Sequence, residues 1–546
     1  MKKRNHNRFR ATSKKIRILH PAFCISQRHP ARVSFKLLLL TTTVLFSGMP
    51  NLNAATNSIT GIIGHPGASA FIDPALTNRL LRIGMVDCIA WTLQNNSEIL
   101  IKRIEPKLKE DDVKIAKAAF EPNFYANIEK DAINSPVPMP MNVYSSIVSR
   151  AVDVNAGLAG KLTSGTRYQL DLLGSRNDDT PATMPVNPVY YTEPKITITQ
   201  PLFKGAGFEV NKAEIVIAAN YRRISSKDLR ATAMQSISRA IIAYYNYCYS
   251  QEYKSIAAAS LKRAQDLLAI NTERHAKGII SSVDLLETDT AVAEREKTVI
   301  VADSLVSKTE DDLKLITNLV DDPELWNARL ELIDHPQVEL RNTDLVQSLK
   351  KAFEFRPDYQ IKMIDLQNRD VAIKVANNNL LPTVDLLGSY GMNGWGSDVG
   401  GALDTIEPDN SDWTVGLKFS MPWGGAERAR YDQKKREKMK ALLELKRLEQ
   451  NIIFDVRNRI REVETQRRQM DAATHSKNMQ LKNYEAQRER YAAGQTSTHD
   501  MLDYQERVAT SETDYLKALV DYQTALISLD NAEGIILAKN NIVLEE

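Results

Sequence analysis

Two short stretches hold carboxylates at matched distances from a glycine. In HAKGIISSVDLLETDTAV (275–292) and YAAGQTSTHDMLDYQERV (491–508), Gly278 and Gly494 are followed at +3 by Ser281 and Ser497, at +6 by Asp284 and Asp500, and at +9 by Glu287 and Asp503. Glycine accepts the positive φ at which a helix can stop. Ser-x-x-Asp is the pattern of a capping box, in which hydroxyl and carboxylate satisfy N–H groups of the next helix's first turn. Capping and helix-dipole stabilisation therefore account at least in part for Asp284 and Asp500. Asp503 stands a turn further on, where the dipole has faded, and by i+3 spacing it shares a face with Asp500. Crowded carboxylates repel one another, which raises some pKa values, and they attract cations.

Other chemistry has little support. His499, Asp500 and Asp503, with His275 beside the first turn, can be read as a metal cluster, but the spacing matches no closed site and a histidine at a helix start is usually solvated. No metal or cofactor is expected. The sequence has no nucleophile elbow, phosphate loop or zinc-spaced cysteine pair, and GFEVNKAE after Gly205 and Gly207 lacks the dinucleotide fingerprint. No catalytic residue is assigned and no enzyme is expected. The tyrosines of AYYNYCYSQEY (243–253) read as interhelical packing.

The elements that must position the two turns are unusually long. From Glu209 to Lys277, and from Glu427 to Ala493, there is no proline and almost no glycine, so each stretch predicts a helix of roughly 100 Å at about 1.5 Å per residue. Ile237, Ile241, Tyr244 and Cys248, and again Tyr515, Leu519, Tyr522, Leu526 and Leu529, follow coiled-coil spacing. Strands alternate instead with a period of two: Val415, Leu417, Phe419 and Met421 oppose Thr414, Gly416, Lys418 and Ser420. Val152, Val154, Ala156 and Leu158, and Tyr168, Leu170 and Leu172 against Arg167, Gln169 and Asp171, repeat the pattern. A half-buried soluble sheet and a transmembrane barrel both explain it. Long polar stretches between the strands suit the outer loops of a barrel.

Prolines bound the strands. FEPNFYANI matches LLPTVDLLG, and ITITQPLFKGAGFE matches LKFSMPWGGAERA, pairing Pro122 with Pro382 and Pro201 with Pro422. Proline suits such junctions because it lacks an N–H and holds its predecessor extended. The chain is thus expected to be an internal tandem repeat. The first repeat spans 83–318, with a helix, strands about 119–203 and long helices about 209–277 and 283–318. A connecting segment, 319–345, leads to a second repeat, 346–536, with a helix, strands about 380–423 and long helices about 427–493 and 498–535. A tail, 537–546, follows.

Residues 1–55 read as a signal peptide: a basic leader, the apolar run LLLLTTTVLF, then small residues. That run is about half of the roughly 20 apolar residues a spanning helix needs. The leader holds eleven Lys or Arg and no acid, so its removal takes the formal charge from +3 to −8. An acidic exported chain is a poor partner for nucleic acid. Cys88 and Cys248 remain, which is no disulfide framework.

The paired turns GIISSVDLLE and GQTSTHDMLD, the strand exits QPLFKGAG and MPWGGAE, the strand starts FEPN and LLPT, and their order in duplicate resemble the TolC-like outer-membrane efflux protein family over roughly 83–536. The resemblance implies a homotrimer in the cell outer membrane extending into the periplasm. Each chain would give four strands to a shared twelve-stranded outer-membrane β-barrel and its helices to an antiparallel α-helical coiled-coil tunnel. The implied role is a passive exit duct of a tripartite efflux or type I secretion system, docked to a periplasmic adaptor (membrane fusion) protein and an inner-membrane pump, with outer-membrane lipid around the barrel. It further implies that Asp500 and Asp503 line the pore entrance and set cation selectivity. Asp284 and Tyr491 would be gating contacts, and Thr496 replaces an arginine of the family's closing contacts. The physics agrees, since open sheet edges cannot be left in lipid. A soluble periplasmic coiled-coil scaffold or adaptor is the alternative from another class, and a metal-dependent periplasmic enzyme a third. Two strand-like runs around 151–175 exceed the four-strand pattern and either lengthen a loop hairpin or join the barrel.

Overall fold

A computed structural model describes residues 80–138, 144–180, 182, 185–321, 323–334, 340–421 and 423–544. The expected signal peptide and Pro422 lie outside the described residues. The chain divides into two units, 1–65 and 66–546, and every described residue belongs to the second.

The chain runs through two passes of one plan. In the first, β1 (Leu80–Ile83) leads into α1 (Met85–Asn95) and α2 (Ser97–Ala118). Then come β2 (Asn123–Pro138), β3 (Tyr144–Lys161), β4 (Arg167–Thr180) and β5 (Val189–Pro201), and the long α3 (Ala213–Ala276) and α4 (Ser282–Thr317). After β6 (Arg329–Leu332) the second pass has α5 (Leu345–Phe355), α6 (Pro357–Asn378), β7 (Thr383–Met392), β8 (Gly394–Gly396) and β9 (Ser411–Ser420). It closes with α7 (Ala426–Ala492) and α8 (Thr498–Ala532). The single helix expected at the start of each half is two. Asn96 splits the first pair, its side chain accepting from the N–H groups of Glu98 and Ile99, and Pro357 starts the second helix of the other pair at its first position.

Proline-free sequence gives α3 its 64 residues and α7 its 67. Neither is stable by propensity alone; each buries a seam against neighbours. Ile452, Val456, Ile460, Val463 and Met470 of α7 pack on Leu519, Tyr522, Leu526 and Leu529 of α8, while Leu229, Met234, Ile237 and Ile241 of α3 pack with Ile89 of α1 and Ile99 of α2. Each such side chain, once buried, contributes about 1.5–3 kcal/mol. Cys88 and Cys248 are free thiols buried in a third cluster with Tyr244 and Tyr247, where burial pushes both thiol pKa values up to about 12. No described helix is long and apolar enough to cross a membrane.

The strands form one antiparallel sheet in the order β2-β3-β4-β5-β7-β9, with β8 continuing the line of β7 against β5. The four strands implied by the resemblance are therefore six. The runs around 151–175 lie in β3 and β4, which pair with each other over fourteen residue positions and with a strand on either side. The register places Phe124, Ile128, Val154, Leu158, Leu170, Leu172, Ile196, Ile198, Leu386, Val415 and Phe419 on one face, and all are exposed. Glu129, Asp153, Asp171, Lys195, Ser389 and Lys418 lie on the other.

A second, two-stranded sheet pairs β1 with β6 in parallel. Nearby, Arg341 of the connecting segment is ion-paired to Asp530 and lies 2.8 Å from Glu533, both carboxylates being almost wholly buried. The hydroxyl of Ser348 also donates to Glu533.

Candidate functional site

Each glycine turn is closed from both sides. Gly278 has φ +68° and Gly494 +74°. The N–H of Gly278 donates to the His275 carbonyl at 2.8 Å and that of Ile279 to Arg274 at 2.9 Å. Gly494 and Gln495 repeat the pair onto Tyr491 at 3.1 Å and Arg490 at 2.9 Å. These 5→2 and 6→1 bonds are the Schellman pattern, which requires the left-handed residue.

On the far side both capping boxes are made. Ser281 Oγ accepts from the Asp284 N–H at 3.2 Å, and the Asp284 carboxylate accepts from the Ser281 hydroxyl at 2.7 Å and N–H at 3.1 Å. Ser497 Oγ accepts from Asp500 at 3.0 Å, and the Asp500 carboxylate accepts from the Ser497 hydroxyl at 2.6 Å, the Ser497 N–H at 3.4 Å and the Thr496 hydroxyl at 3.3 Å. The serine hydroxyls, then the backbone N–H groups, hold both carboxyls below their ordinary pKa. Within the chain, then, Asp500 is held down rather than raised. Asp503 has a different partner, Arg507 one turn on at 2.8 Å. Asp500 opens onto a depression with Arg490 and Tyr504, whereas Asp503 lines a groove with Glu287, His499 and Glu506 between α3, α4 and α8.

The structure does not join Asp284 to Tyr491 directly. Tyr491 is buried beside Leu267, Met501 and Leu502. Its hydroxyl donates to Asn271 Oδ1 and lies 3.1 Å from Thr498 Oγ1. Asn271 Nδ2 donates to Thr288 Oγ1 at 2.9 Å, and Thr288 donates to the Asp284 carbonyl at 2.8 Å. Tyr491 thus reaches the backbone of Asp284 through two wholly buried polar side chains that the sequence reading did not name. Arg274 covers the tyrosine ring at 4.5 Å and donates to its carbonyl at 3.1 Å.

Two further contacts tie the helices together. His499 Nδ1 lies 2.6 Å from Glu287 Oε1, joining α8 to α4, and His275 Nδ1 lies 3.1 Å from the Ile280 carbonyl. The residues weighed as a metal cluster are engaged in these other contacts. Deeper in, Arg295 of α4 donates to Gln505 at 2.6 Å, and Gln505 donates to the Arg263 carbonyl of α3 at 3.3 Å. Burial first, and then the nearby Arg263, lower the Arg295 pKa.

At the other end of the long helices the proline junctions are closed by hydrogen bonds. Leu202 N–H donates to Val384 at 2.8 Å and Lys204 N–H to the Pro382 carbonyl at 3.2 Å, so the exit through Pro201 is stitched to the start of β7. Pro122 precedes β2 directly.

The sheet is apolar on one exposed face and polar on the other, and it continues into helices of more than sixty residues. The sequence model described as outer membrane efflux protein matches residues 169–319 and 349–534, more than half of the chain. The chain belongs to the outer membrane efflux protein family: its place is the outer membrane and its work is efflux, and the family is one of channels rather than enzymes. The family match displaces the soluble-scaffold reading. No curated protein sequence matches.

Solved structures share the fold at low identity. The CmeC outer membrane channel of Campylobacter jejuni is 16% identical over 82% of this chain and 85% of that one, with a TM-score of 0.59. The open state of the MtrE outer membrane channel of Neisseria gonorrhoeae is 17% identical over 82% and 88%, TM-score 0.58. VceC, an outer membrane protein of Vibrio cholerae, is 13% identical over 82% and 96%, TM-score 0.58.

Proposed function

We propose that three copies of this chain close a shared barrel in the outer membrane and hang a helical tunnel into the periplasm, forming a passive exit duct. An adaptor and an inner-membrane pump would complete the path. The observation that carries this reading is the sheet: its apolar face is exposed along its whole width and, among the described residues, its two outer strands have unpaired edges, which lipid cannot satisfy. Closure by further copies removes both edges. At about 1.5 Å per residue, α3 and α7 reach roughly 100 Å beyond the sheet junction, which suits a tunnel across the periplasmic space.

The entrance then lies at the turns of Gly278 and Gly494. Three copies bring six carboxylates from Asp500 and Asp503 to a narrow bore, favouring cations. Opening slides the α7–α8 hairpin against α3 and α4, and the gating contact is the chain from Tyr491 through Asn271 and Thr288 to Asp284. Membrane fractionation followed by planar-bilayer conductance tests the duct; a dissolved monomer without conductance ends the reading. Asp503→Asn is the cleaner test of selectivity, because it leaves the capping box of Asp500 intact. It is expected to lower the cation-to-anion permeability ratio severalfold, and an unchanged reversal potential would remove Asp503 from the filter.

A further inference from the structure

We infer that the shared barrel has eighteen strands, six from each chain, with β9 of one copy zipped to β2 of the next. The inference rests on the trimeric duct and fixes how its membrane part is built. Strand length is the first argument. β2, β3, β4 and β5 have 16, 18, 14 and 13 residues, and β7 and β9 have 10 each. A tilted strand crosses a bilayer in about 9–11 residues, so all six are long enough.

The second argument is the side-chain pattern. In a band toward the helix end of the sheet, apolar alternation runs from β9 through β7, β5 and β4 into β3 and β2 in one register; farther out the same face carries Lys130, Arg150 and Arg176. A hairpin held in water above the membrane has no reason to present Val154, Leu158, Ile128 and Phe124 on the face that carries Ile196 and Leu417. A lipid-facing pair of strands has that reason.

Connectivity is the third. The β3–β4 turn lies at the helix end of the sheet, where the Gly207 N–H donates to the Ser164 carbonyl at 3.0 Å. A Cβ on Gly165, at φ +99°, would stand 2.3 Å from the Gly205 carbonyl oxygen. The additional hairpin is thus fastened against the start of α3 and kept in line with β5. The free edge of β4 that a twelve-stranded ring would need is already filled by β3. Six is also an even number: β2 leaves the helices and β9 returns to them, so neighbouring copies meet antiparallel.

With strands about 4.8 Å apart and tilted by about 40°, eighteen strands make a ring about 36 Å across, against about 24 Å for twelve. The outer mouth is then wider than the helical tunnel needs, and resistance to flow is concentrated at the periplasmic tip.

Cryo-electron microscopy of the purified trimer in lipid nanodiscs reads the strand number directly. Eighteen strands with a β9–β2 seam are expected. Twelve strands, with two strands of each chain outside the ring, would overturn the inference and leave the duct intact, whereas a particle with no ring would overturn the duct itself. A paired substitution adds an independent readout. Val154→Arg, on the apolar face of β3, should cut the trimer recovered from outer membranes at least tenfold, while Asp153→Arg on the polar face should leave it within twofold. Equal recovery of the two variants would place β3 away from lipid and overturn the inference.

Discussion

The pairing of His499 with Glu287 gives the helix tips a response to pH near neutrality. Glu287, first by its hydrogen bond and then by its charge, lifts the His499 pKa above its ordinary 6.5, with Asp500 and Asp503 adding to the effect. The pair is fully formed below 6.5 and its contribution fades as pH rises through the lifted value. The capping carboxylates run the other way. Asp284 and Asp500 are depressed below 3.8, so their contribution is complete above that value and is lost as pH falls through the depressed ones. Following the His499 ring by NMR should give a midpoint above 6.5 that drops toward 6.5 in Glu287→Gln; an unmoved midpoint would remove the pair. Both capping boxes were legible from Ser-x-x-Asp alone, because hydroxyl and carboxylate act within one turn. The partners of Tyr491 were not, since Asn271 and Thr288 are polar residues inside long helices and nothing local distinguishes them from solvated ones.

At the scale of elements, the glycines separate two kinds of constraint. A Cβ on Gly494 meets nothing within 4 Å, so Gly494→Ala carries only the left-handed backbone penalty, about 1–2 kcal/mol. Gly165 has the same backbone demand and no room beside Gly205. Gly165→Ala should therefore lower the thermal midpoint of the purified protein clearly more than Gly494→Ala does, and equal shifts would show that the turn of β3 and β4 is not held. The helical seams were readable because a 3–4 step places Ile237, Ile241, Tyr244 and Cys248 on one stripe, and all four are buried. Strand faces were readable for the same reason at period two. Strand number was not, because alternation reports which way a side chain points and not which neighbour its backbone pairs with.

For the molecule as a whole, the connecting segment is held to the end of α8 by charge. Arg341 bridges Asp530 and Glu533 while Lys539 and Lys351 approach the same carboxylates at 2.9 and 3.6 Å. Arg341→Ala strands two buried acids with only partial compensation, and should cost about 3 kcal/mol in a denaturant melt. Arg341→Lys should restore less than half of that, since an ammonium cannot fork between two carboxylates. A loss below 1 kcal/mol would show that the lysines suffice. The parallel pairing of Leu80–Ile83 with Arg329–Leu332 has a different consequence. During export β1 emerges some 250 residues ahead of its mate, so it must wait as a lone unsatisfied ribbon while the first sheet strands and both long helices pass. Closing so large a loop is slow, which makes this small clasp a late event in maturation.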